Sequence, residues 1–218
     1  MRIKHLKLKT NKLHEMREFY IALLQMQLSE QTNTSFTVRV GNTLLTFEGS
    51  TEDPFYHYAF SVNQLNYEEL VQRIPTFTPL LADNDGETLF FSGLWQRSQA
   101  YFKDPQGNIL EILPSTELFS PDQTWIQVQE IGVTVADIND LISVIQKVKN
   151  VYRKTSDMMS FYGDEEGVLV LVKEGRHWFP TNETARSAPV EVIIDEDHVE
   201  EIVYGDFRLI GSQVKGAY

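Results

Sequence analysis

The sequence repeats one order of secondary structure about every 50 residues, and this repeat limits the fold more than any other feature. In the first unit, the alternating residues 2–9 predict a half-buried strand. Apolar residues spaced three to four apart over 11–26 predict a helix capped by Asn11. Two further strands, 35–40 and 43–47, flank a short turn. The first unit therefore has the order β-α-β-β, with room for one more strand between the helix and the turn.

The same order begins again twice more and then in abbreviated form. The second unit has strands at 55–62, 87–92, 99–103 and 108–113 and a helix at 67–74. The third has a strand at 125–135, a helix at 138–148 and a hairpin of 158–162 with 168–172. The fourth has strands at 190–194 and 207–210 and a short acidic helix through Val199. Four units, two per domain, predict an α+β fold of paired, curved mixed sheets with helices outside, in two domains, 1–115 and 116–218.

Composition narrows the classes of function. The 218 residues are 42% hydrophobic and 23% charged, which is typical of a folded chain. A net charge of -12 disfavours binding to the phosphates of nucleic acids. There is no apolar run long enough for a membrane span and no signal-peptide pattern, so a cytoplasmic protein is expected. The chain has no cysteine, which leaves imidazole and carboxylate as metal ligands.

Three potential metal ligands lie in phase with the repeat. His5 is mid-strand in the first unit, His57 takes the matching place in the second, and Glu111 lies in the last strand of that unit. Two imidazoles and a carboxylate that meet inside a curved sheet form a facial metal site with open coordination positions. Taken singly, a strand histidine is more often a hydrogen-bonded structural residue and a lone glutamate is more often solvated. The prediction therefore depends on their joint placement.

Several segments resemble a known superfamily. These are the opening His5-Leu6-Lys7-Leu8 with Phe19-Tyr20, the strand His57-Tyr58-Ala59-Phe60-Ser61-Val62, and the segment Tyr101-Phe102-Lys103-Asp104-Pro105-Gln106-Gly107-Asn108-Ile109-Leu110-Glu111. Together they resemble the vicinal oxygen chelate superfamily, which includes glyoxalase I, bleomycin resistance proteins and extradiol dioxygenases. The resemblance covers residues 1–115 and does not choose among the members.

The resemblance implies paired modules that form a cup around a divalent metal ion such as Fe, Mn, Zn, Ni or Co. It implies His5, His57 and Glu111 as the ligands and a small substrate that binds through adjacent oxygens. Tyr101 is a candidate hydrogen-bond donor to a bound oxyanion, although packing is the commoner role for such an aromatic residue. Lys7, in phase with His5, is a candidate for binding an anionic substrate, although strand-end lysines are usually solvated.

The chain also departs from the superfamily pattern. Glu48 is the nearest candidate for a fourth ligand, but it is out of phase with Glu111. In the third unit, Glu130 falls at the position of His5, so we expect one metal site per chain, in the N-terminal half. The C-terminal half is then structural or shapes the pocket. Residues 176–179 either cover the cup or, as we favour, form a hairpin edge with ordinary aromatic packing.

Two functions fit these features. The first is a metal-dependent enzyme of the glyoxalase or dioxygenase type that acts on a small molecule. The second is a non-catalytic protein that binds or sequesters a small molecule in the same cup, and a cluster of aromatic residues between 90 and 102 could line its pocket. The three converging ligands favour the enzyme. A monomer and a homodimer are both compatible with tandem units.

Overall fold

The strands of the chain form two mixed sheets. A computed structural model describes residues 1–146, 152–154, 156–196 and 201–212. Within these residues there are fifteen strands and three α-helices. The seven-stranded sheet has the order β14-β15-β13-β1-β4-β3-β2, and the eight-stranded sheet has the order β10-β11-β12-β9-β5-β8-β7-β6. The sheets are curved into cups, which confirms the predicted α+β fold of paired modules.

The elements follow the predicted repeat. The first unit contains β1 (Ile3–Thr10), α1 (Leu13–Glu18) with a π-helical turn (Phe19–Leu23), β2 (Gln27–Gln31), β3 (Ser35–Val40) and β4 (Thr43–Gly49). The second contains β5 (His57–Val62), α2 (Gln64–Arg73) with a 3-10 turn (Ile74–Thr76), β6 (Leu89–Ser92), β7 (Arg97–Lys103) and β8 (Ile109–Pro114). The third contains β9 (Trp125–Val135), α3 (Ile138–Ile145), β10 (Tyr152–Lys154), β11 (Met159–Asp164) and β12 (Gly167–Lys173). The fourth contains β13 (Val190–Asp195), β14 (Glu201–Tyr204) and β15 (Phe207–Ser212). The acidic helix predicted through Val199, and the end of the third helix predicted at 147–148, lie outside the described residues.

The units do not pair in chain order. Antiparallel pairing of β1 with β13 joins the first unit to the fourth, and antiparallel pairing of β5 with β9 joins the second to the third. Every residue of β5 is buried, and this strand needs a hydrogen-bonded neighbour on each side, which β8 and β9 supply. Each sheet therefore draws strands from both sides of residue 115. That 1–115 and 116–218 are separate domains stays a prediction.

The two faces of β5 have different environments. Tyr58, Phe60 and Val62 belong to the main core, which also contains apolar residues of the other sheet and of the helices. His57 and Ala59 alternate with them and so face the cup of the eight-stranded sheet. The smaller core on this cup side includes Tyr101 of β7, Ile109 of β8 and three valines of β12, Val168, Val170 and Val172. Burial of both faces explains why the strand carries so few charged residues.

The helices begin at capping side chains in two of three cases. The Asn63 side chain accepts a hydrogen bond from the Leu65 N–H at the start of α2, at 3.1 Å. Asp137 does the same for α3. The prediction that Asn11 caps α1 is wrong, because no side chain caps this helix. Just before the helix, the Thr10 hydroxyl accepts a hydrogen bond from the Lys12 N–H, at 3.0 Å. None of the helices in the described part of the chain is long and apolar enough to cross a membrane.

The turn between β7 and β8 fixes β5 against β8. The buried carboxylate of Asp104 accepts hydrogen bonds from the Asn108 side chain, from Tyr20 at 3.0 Å and from Tyr58 at 3.1 Å. The Asn108 side-chain oxygen accepts from the backbone N–H of Tyr56, at 2.8 Å. These bonds tie the residues next to the start of β5 and of β8 to one carboxylate. They set the relative position of the strands that carry His57 and Glu111.

Candidate metal centre

Three buried side chains meet in the cup of the eight-stranded sheet. His57, Glu111 and Glu130 each offer one ligand atom, and these atoms all lie within 4.8 Å of one another. The Nε2 atom of His57 is 3.6 Å from Oε2 of Glu111. Among the described residues, this is the cluster of metal-ligating groups that the structure brings together. One imidazole and two carboxylates are ligands that bind divalent first-row metals.

The strand register explains why these three side chains converge. On the parallel pair β5 and β8, His57 lies opposite Ile109 and Ala59 lies opposite Glu111. On the antiparallel pair β5 and β9, the same Ala59 lies opposite Glu130. The small side chain of Ala59 thus separates the two carboxylates on neighbouring strands. Because alternate residues share a face, His57 points into the same cup.

His57 is held in the form that binds a metal. Its Nδ1 lies 3.1 Å from the carbonyl oxygen of Ile109. A carbonyl only accepts, so Nδ1 carries the proton and donates it. Burial, with a smaller contribution from the charge of Arg176, lowers the pKa of His57 to about 4, against the effect of the hydrogen bond to Ile109. The ring is therefore neutral at pH 7, with the lone pair of Nε2 directed towards the carboxylates.

The two carboxylates are close together and buried. Burial raises the pKa of Glu111 well above its usual range, and the charge of Glu130 raises it further, while a hydrogen bond from Tyr101 lowers it. Burial raises the pKa of Glu130 to about 7, against the effect of a hydrogen bond from the Trp95 indole N–H. Without a cation, burial favours the protonated forms of these carboxyl groups, and a bound divalent cation would stabilise both as carboxylates. The donor set and its charge therefore fit a divalent metal ion.

The three side chains open into a cavity of about 440 Å³. Its wall is largely aromatic and includes Phe91, Trp95, Tyr101, Phe161, Trp178 and Phe179. Trp178 packs against His57 with ring centroids 4.7 Å apart. Trp178, Phe179 and the half-buried Arg176, which line the cavity, come from the segment between β12 and β13. The segment also forms an antiparallel bridge between His177 and Thr184, so it is the hairpin edge that we favoured and in addition part of the cavity wall.

The structure separates the residues that the sequence analysis grouped. His57, Glu111 and Tyr101 all lie at the cavity. His5 lies in β1 of the seven-stranded sheet, where its Nε2 is 2.8 Å from Oγ1 of Thr46. Lys7 lies on the same strand, and its Nζ is 2.6 Å from Oε1 of Glu191. Both are remote from the cluster because the first unit pairs with the fourth.

The concave face of the seven-stranded sheet is a second cup with a different set of side chains. Ala59, two residues after His57, lies opposite Glu111 and Glu130 on its two neighbouring strands. Lys7, two residues after His5, lies opposite Thr46 and Glu191. His5, Thr46 and Glu191 therefore correspond to His57, Glu111 and Glu130. The second cup thus has a threonine where the first has Glu111. The carboxylate of Glu191 is paired with Lys7 and with Arg208, at 3.1 Å in the latter case. Cationic side chains compensate its charge.

Glu48, the candidate fourth ligand, also belongs to the second cup. Its Oε2 accepts from Nζ of Lys9 at 2.5 Å. In the first cup, Glu111 lies opposite the residue two positions after His57. The third unit has Glu130 in place of His57, and the residue two positions after Glu130 is Gly132, which lies opposite Val170. Val170 is therefore the equivalent of Glu111 in the third unit. Val170 lines the cavity. The first cup therefore combines three candidate ligands with an apolar side chain at the fourth position.

Sequence reasoning missed Glu130 as a member of the cluster. The repeat aligned it with His5, which was the available signal, but the third unit was expected to pair with the fourth. Pairing of the second and third units instead brings Glu130 beside His57 and Glu111. The cluster therefore contains a residue of the C-terminal half of the chain, contrary to the expectation of a site built by the N-terminal half alone.

No known family model matches the chain, and no curated protein matches its sequence. Solved structures do. One is a candidate dioxygenase from Bacillus subtilis, with 14% identity and a TM-score of 0.66 over 97% of this chain and 85% of that one. Another is glyoxalase I from Zea mays, with 14% identity and a TM-score of 0.58 over 96% of this chain and 92% of that one. A variant of the maize enzyme gives 13% identity and a TM-score of 0.61 over the same shares.

These likenesses extend over nearly the whole chain, beyond the first 115 residues that carry the resemblance in sequence. They cover all four units and both sheets. At such low identity they establish the fold, whereas the site is defined by the geometry of His57, Glu111 and Glu130. The chain therefore shares its fold with glyoxalase I from maize and with the candidate dioxygenase from Bacillus subtilis.

Proposed function

We propose that this protein is a divalent-metal-dependent enzyme that acts on a small molecule with adjacent oxygens. His57, Glu111 and Glu130 are the proposed ligands, and the metal is one of Fe, Mn, Zn, Ni or Co. The observation that carries the proposal is the convergence of three buried ligand atoms within 4.8 Å at the base of a cavity. A metal bound there would act as a Lewis acid towards the substrate oxygens.

The surrounding side chains have distinct roles in this proposal. The Ile109 carbonyl fixes the tautomer of His57, and the Trp95 indole fixes one oxygen of Glu130. The hydroxyl of Tyr101 is hydrogen-bonded to Glu111 and accepts from the Gln99 side chain. Burial keeps Tyr101 protonated by raising its pKa far above neutral. Tyr101 donates its single O–H to Glu111, so in this proposal it positions that carboxylate.

Elemental analysis of the untagged protein, purified without chelator under low oxygen, tests the metal site. We expect about one equivalent of a transition metal per chain, retained by the wild-type protein and lost from His57→Ala. His5→Ala is the matched control because it removes the equivalent histidine of the second cup, and it should keep the metal. A wild-type protein that neither retains nor reloads metal, or a His57→Ala variant with full occupancy, contradicts the proposal.

The alternative is a non-catalytic protein that binds a small molecule in the same cavity. The aromatic wall and the apolar Val170 favour ligand binding as such, with or without chemistry. The same elemental analysis separates the two functions. Absence of metal together with binding of small aromatic molecules supports the alternative. A stoichiometric metal lost from His57→Ala supports the enzyme, because simple sequestration does not need three converging ligands.

A further inference from the structure

Arg176 brings a positive charge into the cavity without a partner carboxylate. It lies in the segment after β12, is half-buried and lines the same cavity as His57 and Glu130. Its Nη1 donates to the carbonyl oxygen of His177 at 2.9 Å. Among the described residues, no carboxylate forms an ion pair with its guanidinium, and burial lowers its pKa. A half-buried arginine without a carboxylate is available to a ligand.

The other basic residues that face a cup differ from Arg176. Lys7 and Arg208 are both paired with Glu191 in the second cup, and Lys9 is paired with Glu48. Their charges are compensated within the protein. Arg97, on the same face of β7 as Tyr101, also lacks a carboxylate partner in the described part of the chain, but its guanidinium donates to the carbonyl oxygens of Trp95 and Pro114. Among the described residues that line the cavity with His57, Arg176 is the basic one. An anionic ligand is therefore more favourable in the first cup than in the second.

The formal charges of the cavity lead to the same conclusion. Two carboxylates, Glu111 and Glu130, would balance the charge of a divalent ion held there, and His57 is neutral. The charge of Arg176 then remains in the cavity that Arg176 and His57 line together. A cavity with one surplus positive charge and a low-dielectric aromatic wall favours a ligand with one negative charge.

We infer that the ligand of this cavity is a planar organic monoanion whose carboxylate binds the guanidinium of Arg176. Its flat part lies against the aromatic wall, and its adjacent oxygens face His57, Glu111 and Glu130. This inference rests on the proposed function for the position of the adjacent oxygens, while the Arg176 contact stands on the cavity itself. A bidentate guanidinium–carboxylate pair gives both affinity and orientation.

Calorimetric titration with two matched pairs of compounds tests the inference. The first pair is 3,4-dihydroxybenzoate and 3,4-dihydroxybenzamide, which share a ring and adjacent oxygens and differ by one negative charge. We expect the metal-loaded wild-type protein to bind the acid about tenfold more tightly than the amide, as for a hydrogen bond to a charged group. Arg176→Gln should remove this preference and leave the amide affinity unchanged, and Arg176→Lys should restore part of it.

Lys7→Gln is the matched control, since it removes one positive charge from the second cup and should keep the preference for the acid. The inference is overturned if the wild-type protein does not bind 3,4-dihydroxybenzoate or binds this acid and its amide equally. It is also overturned if Arg176→Gln keeps the preference for the acid. Loss of the preference in Lys7→Gln also overturns it, because the anion would then bind in the other cup.

The second pair, benzoate and benzamide, separates failure of this inference from failure of the proposed function. These compounds lack adjacent oxygens, and they are titrated into the protein as purified, with its metal content measured. A preference for benzoate that depends on Arg176 in a protein without metal would contradict the metal-dependent function and support the anion contact. One equivalent of metal with no Arg176-dependent preference for benzoate would support the metal-dependent function and contradict the anion contact.

Discussion

Glu130 on β9 and His57 on β5 occupy equivalent positions on the two strands that pair at the centre of the eight-stranded sheet. Glu130 lies opposite Ala59, which is two residues after His57. In the same way, the residue two positions after Glu130, Gly132, lies beside the carbonyl of His57. The same relation holds in the second cup between His5 and Glu191, since Lys7 lies opposite Glu191. Two cups of one architecture thus carry a histidine and a glutamate at matching places, and they differ in what balances the glutamate.

Replacing Glu130 with glutamine should stabilise the metal-free protein. The change removes a buried negative charge beside Glu111 and keeps an oxygen that accepts from the Trp95 indole. We expect the free energy of unfolding of the metal-free protein at pH 8 to rise by about 1–2 kcal/mol. The increase in melting temperature on adding metal should disappear. Urea and thermal unfolding, with and without metal, measure both effects.

Glu191→Gln is the matched control for that change. Glu191 occupies the equivalent position in the second cup, where Lys7 and Arg208 pair with it. Loss of its charge should leave stability unchanged or lower it by up to about 1 kcal/mol, because these pairs are partly exposed. Equal stabilisation by both substitutions would show that the buried carboxylate pair of the first cup is not a source of instability.

Replacing Tyr101 with phenylalanine should weaken metal binding without unfolding the protein. The aromatic ring would keep its contacts with Phe90 and His57, whose ring centroids lie 5.7 Å and 6.2 Å away. The hydrogen bond to Glu111 would be lost. Loss of such a supporting bond raises the dissociation constant of a metal about tenfold. Metal titration measures this value, and an unchanged constant would show that Tyr101 only packs.

The secondary structure was predictable because its signals are local. Alternation over 2–9, the turn at Gly41-Asn42 and the apolar spacing over 138–145 each depend on neighbouring residues. The phase of the repeat also placed His57 and Glu111 on the cup side of their strands. Gly41 has a φ of +53°, and a Cβ there would lie 2.1 Å from the Ile126 carbonyl oxygen, so the turn also requires glycine for close packing.

The pairing of the units was not predictable from such signals. The first, second and third units have similar strand patterns, so local sequence does not show which of them supplies the neighbour of β5. That choice depends on how the main core packs between both sheets and on bonds such as those of Asp104 with Tyr20 and Tyr58. The pairing decides whether His5 or Glu130 completes the cluster. It also brings Arg176, far along the chain, to the same cavity.

Asp104 should make the protein less stable as the pH rises. Burial raises the pKa of Asp104 to about 6 from an ordinary 3.8, despite hydrogen bonds from Asn108, Tyr20 and Tyr58. The folded chain therefore keeps this proton at a pH where the unfolded chain has lost it. The resulting stability is fully present below pH 4 and is lost as the pH rises through 6. It amounts to about 1 kcal/mol between pH 5 and 7.5.

Asp104→Asn should remove this part of the pH dependence. The test is the difference in free energy of unfolding between wild-type and variant proteins at pH 5 and 7.5, in which the other titrating groups cancel. Asp85→Asn, at an exposed turn position, controls for loss of a carboxylate. If Asp104→Asn does not fold, Tyr20→Phe removes one donor to Asp104 and should steepen the pH dependence. Parallel curves for every variant would refute the assignment.

Gly132→Ala should disturb the cavity through Trp178. A Cβ at residue 132 would lie 2.6 Å from the Trp178 ring and 3.1 Å from the carbonyl oxygen of His57. The backbone cannot give way cheaply in a buried strand pair, so the indole must move off the imidazole. We expect a loss of about 1–3 kcal/mol in the free energy of unfolding, as for an overpacked core. The tryptophan emission should also shift to the red as the ring becomes more exposed. Gly86→Ala is the control for the emission, which should stay unchanged because nothing lies within 4 Å of the added Cβ. Its stability is not compared, since the φ of +85° at residue 86 strains an alanine. Unaltered emission and stability in Gly132→Ala would show that a side chain at residue 132 does not displace Trp178 from His57.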